Sequence, residues 1–308
     1  MSAGPTCADR KAGPSAIDTI PDGAAQQQSQ SSVRVGYRAL LPQRHALHVQ
    51  GVAVNVAALH RDGDGVPMVF LHGFGSTKED YADIALHSGL DGHPVLAYDA
   101  PGCGDTELQV LDRLSIPFLV DTALAMVDAA GFDRFHLVGH SMGGLTALML
   151  ADAHPQRVLS FVNIEGNVAP EDCFLSRQVE QYPAADDTVF FDDFIERIRL
   201  APAYASALYA ASLRHKVRAG AVRGIFRSMV ALSDRGRLME RFLGLPCPRM
   251  FMHGEQNSHL SYLAHIAARG VHVVAIENCG HFPMYSDPTA MWRAIRNFLN
   301  DVSTGGAP

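Results

Sequence analysis

Phe135-His-Leu-Val-Gly-His-Ser-Met-Gly-Gly-Leu-Thr-Ala-Leu-Met-Leu150 decides how this chain is read. It opens as a short apolar run, Phe135 to Val138, and continues from Met142 as a helix-like segment, with Gly139-His140-Ser141-Met142-Gly143 between them. A G-x-S-x-G sequence between a strand and a helix implies a turn so sharp that its serine takes strained backbone angles. Side chains at the two flanking positions would collide, and glycine at 139 and 143 removes the collision. Ser141 Oγ would then project above a sheet, beside the start of a helix, where partial positive charge favours a developing anion. The alternative is an ordinary glycine-rich turn with a surface serine, and the strand–turn–helix context weighs against it.

Outward from this segment the same alternation repeats. Val66 to Leu71, Pro94 to Tyr98, Leu159 to Ile164, Arg249 to Met252 and Val271 to Ile276 are short apolar runs of the kind that fill a sheet buried on both faces. Helix-like segments lie near residues 78–89, 115–130, 142–154, 258–269 and 287–301. Strands alternating with helices predict an α/β fold with right-handed crossovers and a mostly parallel central sheet flanked by helices. Ahead of them, residues 45–59 alternate apolar and polar side chains around Gly51, which predicts a β-hairpin.

One interval breaks the alternation. Residues 168–243 carry helical periodicity but no buried strand, and hold Phe174, Tyr182, Phe190, Phe191, Phe194, Tyr204, Tyr209 and Phe226. Inserted between two core strands, this piece would form a helical cap over the sheet's C-terminal edge. Most of its aromatics are expected to pack the cap's own small core, and a few to face a ligand. The core is then expected at 36–167 and 244–303.

Residues 1–35 are rich in Ala, Gly, Ser, Pro and Gln and offer too little apolar surface to offset ordering entropy, so a disordered tail is expected there. The remainder is different in kind. With 47% hydrophobic and 19% charged residues over 308 positions, the chain can bury a sizeable core. A formal charge of −7 without a dense Lys/Arg run argues against a nucleic-acid partner. Five cysteines (7, 103, 173, 247 and 279) with no C-x-x-C pair fit scattered thiols, not a disulfide or zinc framework. No apolar stretch has the roughly 18 residues of a membrane span, and the first residues lack a secretory pattern, so a cytoplasmic location is expected.

The G-x-S-x-G segment, His72-Gly73-Phe74-Gly75, Asp99-Ala-Pro-Gly-Cys-Gly104 and Cys279-Gly-His-Phe282 occur in an order that resembles the α/β-hydrolase superfamily, over residues of about 45 to 301. The resemblance implies the α/β-hydrolase fold with an inserted helical cap, and Ser141 as nucleophile. It implies the backbone amides of Phe74 and Met142 as the oxyanion hole, Gly73 and Gly75 letting the loop turn the Phe74 amide towards the pocket. Among fifteen histidines, His281 is favoured as the base, because it stands in the loop after the last predicted strand and follows the nucleophile in chain order. His72 is expected to be a structural hydrogen-bonder. His140, beside the nucleophile, is expected to pack or hydrogen-bond near the pocket, and with Gly73 to contact substrate. Asp99 and Asp105 would hold a turn at the pocket floor by side-chain hydrogen bonds.

The acid departs from the commoner pattern. After the strand that follows the cap, where many relatives place an Asp, the sequence reads His253-Gly-Glu-Gln-Asn257-Ser, and an amide cannot stabilise imidazolium as a carboxylate does. A second location used in the superfamily, the end of the strand before the cap, holds Glu165. A charge there is costly unless paired, and His281 would be its partner. Glu165 is therefore the expected acid and Glu255 the alternative.

The resemblance thus implies hydrolysis of an ester, thioester or lactone through an acyl-enzyme. No cofactor is implied, and no metal, since no histidine–carboxylate cluster has ligand spacing. The expected partner is a small, largely apolar substrate. Two other readings stay open: a carbon–carbon bond hydrolase of the same fold, and a non-catalytic ligand-binding module.

Overall fold

Six apolar runs of the sequence become neighbours in one sheet. A computed structural model describes Met1 and residues 39–181 and 186–305. Positions 2–35 of the expected tail, Cys7 among them, and Tyr182 lie outside the described residues. The strands are β1 (Leu41–Val49), β2 (Val52–Arg61), β3 (Met68–Leu71), β4 (Val95–Tyr98), β5 (Glu107–Leu108), β6 (Phe135–His140), β7 (Val158–Ile164), β8 (Arg249–Gly254) and β9 (His272–Ile276). They follow the order β1-β2-β4-β3-β6-β7-β8-β9, with β5 paired to β2. β1, β2 and β5 pair antiparallel, β2 joins β4 antiparallel, and every pairing from β4 through β3, β6, β7 and β8 to β9 is parallel. β3, β4 and β6 are buried at every residue, as strands covered by helices on both faces must be.

Helices fill the connections: α1 (Ile116–Ala129), α2 (Met142–Ala153), α3 (Asp187–Arg199), α4 (Ser206–Lys216), α5 (Ala219–Arg235), α6 (Leu238–Gly244), α7 (Leu263–Ala267), α8 (Pro283–Ser286) and α9 (Pro288–Ser303). α9 shows how local chemistry sets an element. Asp287 caps it by accepting from the Ala290 amide, Pro288 occupies the first turn, and Met291, Trp292, Ile295, Phe298 and Leu299 form its buried stripe. That stripe places Trp292 against Phe70 of β3, ring centroids 5.7 Å apart. Among the described residues, no helix is long and apolar enough to cross a membrane.

Two expected helices change form. The segment at 78–89 is a pair of 3-10 turns, Lys78–Leu86 and Ser88–Leu90. Its buried residues Lys78, Tyr81 and Ile84 recur every third position, the repeat of a 3-10 helix. The segment at 258–269 keeps only the five residues of α7, with Ile266 as its one buried side chain. Too little apolar surface faces the sheet there to stabilise a longer helix. β5 has two residues, below the length at which alternation can be read.

The loop after β4 is organised by a buried ion pair. Asp99 is fully buried; its carboxylate accepts from the Lys78 amide and ammonium and from the Asp105 amide, each at 2.8 Å. Burial works against the Lys78 ammonium, but Asp99, Glu79 and Asp105 outweigh it and hold its pKa above the ordinary value.

β6 also carries a titratable group that the fold keeps neutral. His136 is 4% exposed, shares a 2.8 Å hydrogen bond with Ser160, and is pushed down to about 4 by burial and, secondarily, by His93. The folded pKa lies below the ordinary 6.5, so the unfolded chain binds more protons between these values. Stability is therefore present above pH 6.5 and lost as the pH falls towards 4. Denaturant melts at pH 7 and pH 5 should show His136→Gln losing about 2 kcal/mol less than the parent over that interval. Equal losses would mean that His136 is not the group responsible.

Candidate active site

Ser141 stands between the end of β6 and the first turn of α2 at φ 50° and ψ −117°, a backbone state rare for any residue with a side chain. Its amide donates to Ile164 O at 2.9 Å and its carbonyl accepts from the Leu145 amide at 3.0 Å, so strand and helix both hold it. The flanking glycines are needed for contact. A Cβ on Gly139 would lie 2.5 Å from Gly143 O, and one on Gly143 would collide with the carbonyls of Leu71 and His72. Met142 opens α2, so its N–H has no acceptor within the helix. Phe74 lies in the loop after β3, where its carbonyl accepts from the Tyr209 hydroxyl at 2.7 Å.

Glu165 follows directly on β7, at φ 46°, and its amide donates to Met252 O of β8. The residue is 7% exposed, and its carboxylate is an acceptor in three contacts: from the Gly254 amide at 2.7 Å, from Asn257 Nδ2 at 2.8 Å, and from His281 Nδ1 at 2.5 Å. A carboxylate that accepts at Nδ1 fixes the proton there and leaves Nε2 as the acceptor nitrogen. His281 comes from the loop after β9 and is 8% exposed. Glu255, the alternative acid, is exposed and instead accepts from the Asn278 amide at 2.9 Å. Asn257 thus sits beside the carboxylate and donates to it.

His140 does not line the cavity. It is 1% exposed, its ring lies 4.9 Å from that of His281, and its Nε2 is 2.8 Å from the His281 carbonyl. A carbonyl only accepts, so Nε2 carries the proton. Burial first, and then His281, hold its pKa well below the ordinary value, leaving the ring neutral. Gly73 packs flat against that ring, where a Cβ would strike His140 Nδ1 and lie 3.2 Å from Ser141 Cβ. Neither residue lines the cavity that holds Ser141 and His281, because each is spent on the close approach of the two loops. His72 lies beneath: its Nδ1 donates to Gly73 O at 2.7 Å, and its Nε2 accepts from the Ala100 amide at 2.9 Å.

Ser141, His281 and Phe74 line one cavity with residues from the helical segments between β7 and β8. About 20 Å³ of it is open to the centre of a water molecule. Phe174, Leu175, Phe226, Met229 and Phe282 supply apolar wall; Asp172, Ser176 and Tyr209 supply polar groups. The aromatics of residues 168–243 divide as their neighbours dictate. Phe190 and Phe194 pack on one another and on Phe226, while Phe226, Tyr209 and Phe174 reach the cavity. Asp172 accepts from the Val168 and Ala169 amides and the Tyr262 hydroxyl. Burial pushes its carboxyl up to about 6 despite those donors. Asp172, Ser176, Met229 and Asn257 carry no sequence signal for a site. The first two belong to short 3-10 turns without periodicity, Met229 looks like any apolar position of α5, and Asn257 stands where an Asp was expected. Among the described residues, no group of three His, Cys, Asp or Glu side chains is placed to hold a metal ion.

The chain is 26% identical over 272 residues to a monoacylglycerol lipase, abhd6-A, of Xenopus laevis, covering 79% of this chain and 78% of that protein. It is 26% identical over 262 residues to the pimeloyl-[acyl-carrier protein] methyl ester esterase of Aeromonas salmonicida, covering 79% of this chain and 98% of that one. A thermophilic esterase from Thermogutta terrifontis superposes with a TM-score of 0.65 at 20% identity, over 84% of this chain and 99% of its own, and shares the fold. The family model described as the alpha/beta hydrolase family matches residues 68–294, most of the chain, and the protein belongs to that family.

Proposed function

We propose that this protein hydrolyses a carboxylic ester, thioester or lactone through an acyl-enzyme on Ser141. The observation that carries the reading is the 2.5 Å contact between Glu165 Oε2 and His281 Nδ1, on a histidine that shares a cavity with Ser141. With its proton fixed on Nδ1, His281 offers Nε2 to take the Ser141 proton as Oγ attacks the carbonyl carbon. The imidazolium then has its positive charge next to the Glu165 carboxylate. Nε2 returns the proton to the departing oxygen or sulfur, and Ser141 is left acylated. Water enters, gives its proton to Nε2, and attacks the acyl carbon; Ser141 Oγ leaves with the proton, and the acid is released. The amides of Phe74 and Met142 are the proposed donors to the oxyanion in both tetrahedral intermediates.

The ester-cleaving names of the lipase and the methyl ester esterase support the same bond type. The residues between β7 and β8 act in this reading as the cap that shapes the substrate space. The narrow cavity and its aromatic wall favour a short acyl group.

A fluorophosphonate should add once to the parent and not to Ser141→Ala by intact mass. Glu165→Gln should label about 10³-fold more slowly, since an amide cannot hold the imidazolium. Labelling of Glu165→Gln at the parental rate would remove Glu165 from the reaction, and no adduct on the parent would remove the hydrolase reading itself. Turnover of a diketone with no turnover of simple esters would replace ester cleavage by carbon–carbon cleavage.

The Asn257 side chain suggests a second experiment. It lies 2.8 Å from the oxygen that meets His281, so a carboxylate there should reach the same imidazole. In the Glu165→Gln background, Asn257→Asp should restore labelling by about tenfold. No gain would show that position 257 cannot orient His281.

A further inference from the structure

Among the described residues, the cavity wall holds a buried hydroxyl without a hydrogen-bond partner. Ser176 is 2% exposed and lines the cavity, and among the described residues its Oγ has no hydrogen-bond partner. A buried hydroxyl left unpaired costs about 1–3 kcal/mol, so a bound group that pairs with it gains what the free protein forgoes. Ser141, the proposed nucleophile, aside, the other three polar side chains of the wall are engaged. The Tyr209 hydroxyl donates to Phe74 O, the Asp172 carboxylate accepts from two amides and the Tyr262 hydroxyl, and His281 is held by Glu165.

The position of Ser176 says which part of a substrate would meet it. Phe174, whose ring stands edge-on to His281 at 5.3 Å, is 54% exposed and marks the side of the cavity that faces solvent. A leaving group must collect its proton from His281 and depart on that side. The acyl part stays bonded to Ser141 and fills the interior, which Ser176 lines. The chemistry of the partner is also constrained. Asp172 places a carboxylate in the same wall, and burial strengthens its repulsion of a second anion. A neutral oxygen fits Ser176; a carboxylate does not.

We propose that Ser176 is a specificity-determining residue that binds a hydroxyl or keto oxygen on the acyl chain, so that the preferred substrates are short hydroxyacyl or oxoacyl esters. The inference rests on the hydrolase reading given above. It is tested by kcat/KM for the p-nitrophenyl esters of butyrate, 3-hydroxybutyrate (each enantiomer) and 3-oxobutyrate, and for mono-p-nitrophenyl succinate, on the parent and on Ser176→Ala. Fluorophosphonate labelling of Ser141 is run alongside on both proteins.

The parent should prefer at least one oxygenated ester over butyrate by about tenfold, the scale of one buried neutral hydrogen bond, and should disfavour the succinate. In Ser176→Ala that preference should fall to about one. An oxygenated-to-plain ratio near one in the parent overturns the proposal, as does a ratio that Ser176→Ala leaves unchanged. In either case, persistent labelling and ester turnover would keep the hydrolase reading standing. No labelling and no turnover of any ester would overturn both.

Discussion

The strained backbone at Ser141 is the constraint around which the rest is arranged. A residue at φ 50° and ψ −117° stores of order 1–3 kcal/mol and persists only where its surroundings allow no other path. Here β6 arrives fully buried between β3 and β7, α2 leaves at once, and the carbonyls of Leu71 and His72 close the space beside Gly143. Any relaxation of the turn would push α2 into the loop after β3. The same closeness brings that loop, with Phe74, to the serine. Strain and the proposed oxyanion site therefore have one origin, the depth at which α2 is seated on the sheet.

Histidine chemistry around the turn is sorted by environment. His140 precedes Ser141, His281 shares its cavity and the His72 carbonyl lies against Gly143, yet each histidine has a different task. His72 and His140 are held by backbone groups that fix their tautomers, and burial keeps His140 neutral. His281 alone meets a carboxylate. In the proposed mechanism this sorting confines the developing positive charge to one ring, where Glu165 can answer it.

Much of this was legible in the sequence. Five of the six runs announce themselves as nearly fully buried strands, because a sheet covered on both faces tolerates little else, whereas β9, at the edge of the sheet, buries only Ile276. The G-x-S-x-G turn is equally plain, since its glycines answer a steric demand. Ser141, Glu165 and His281, expected as nucleophile, acid and base, each stand directly after a strand or in the loop that follows one, and the structure brings Glu165 to His281 and His281 to the cavity of Ser141. What stayed hidden depends on distant partners. That His140 and Gly73 spend themselves on each other follows from a contact no local pattern encodes. Asn257 reads as the loss of an acid until its amide is seen donating to Glu165. Ser176 is an unremarked serine until the cavity closes around it. The 3-10 form of residues 78–86 required knowing that Lys78 turns inward to a carboxylate 21 positions away.

The hydrogen bond from His140 to the His281 carbonyl joins residues 141 positions apart, and the one from His281 to Glu165 spans 116. Contacts of such separation are among the last a folding chain can close, because the loop entropy must be met before the contact forms. A chain synthesised as far as Ile164 therefore already contains the serine and the strands on either side of β6, while the imidazole proposed to activate it is not yet made.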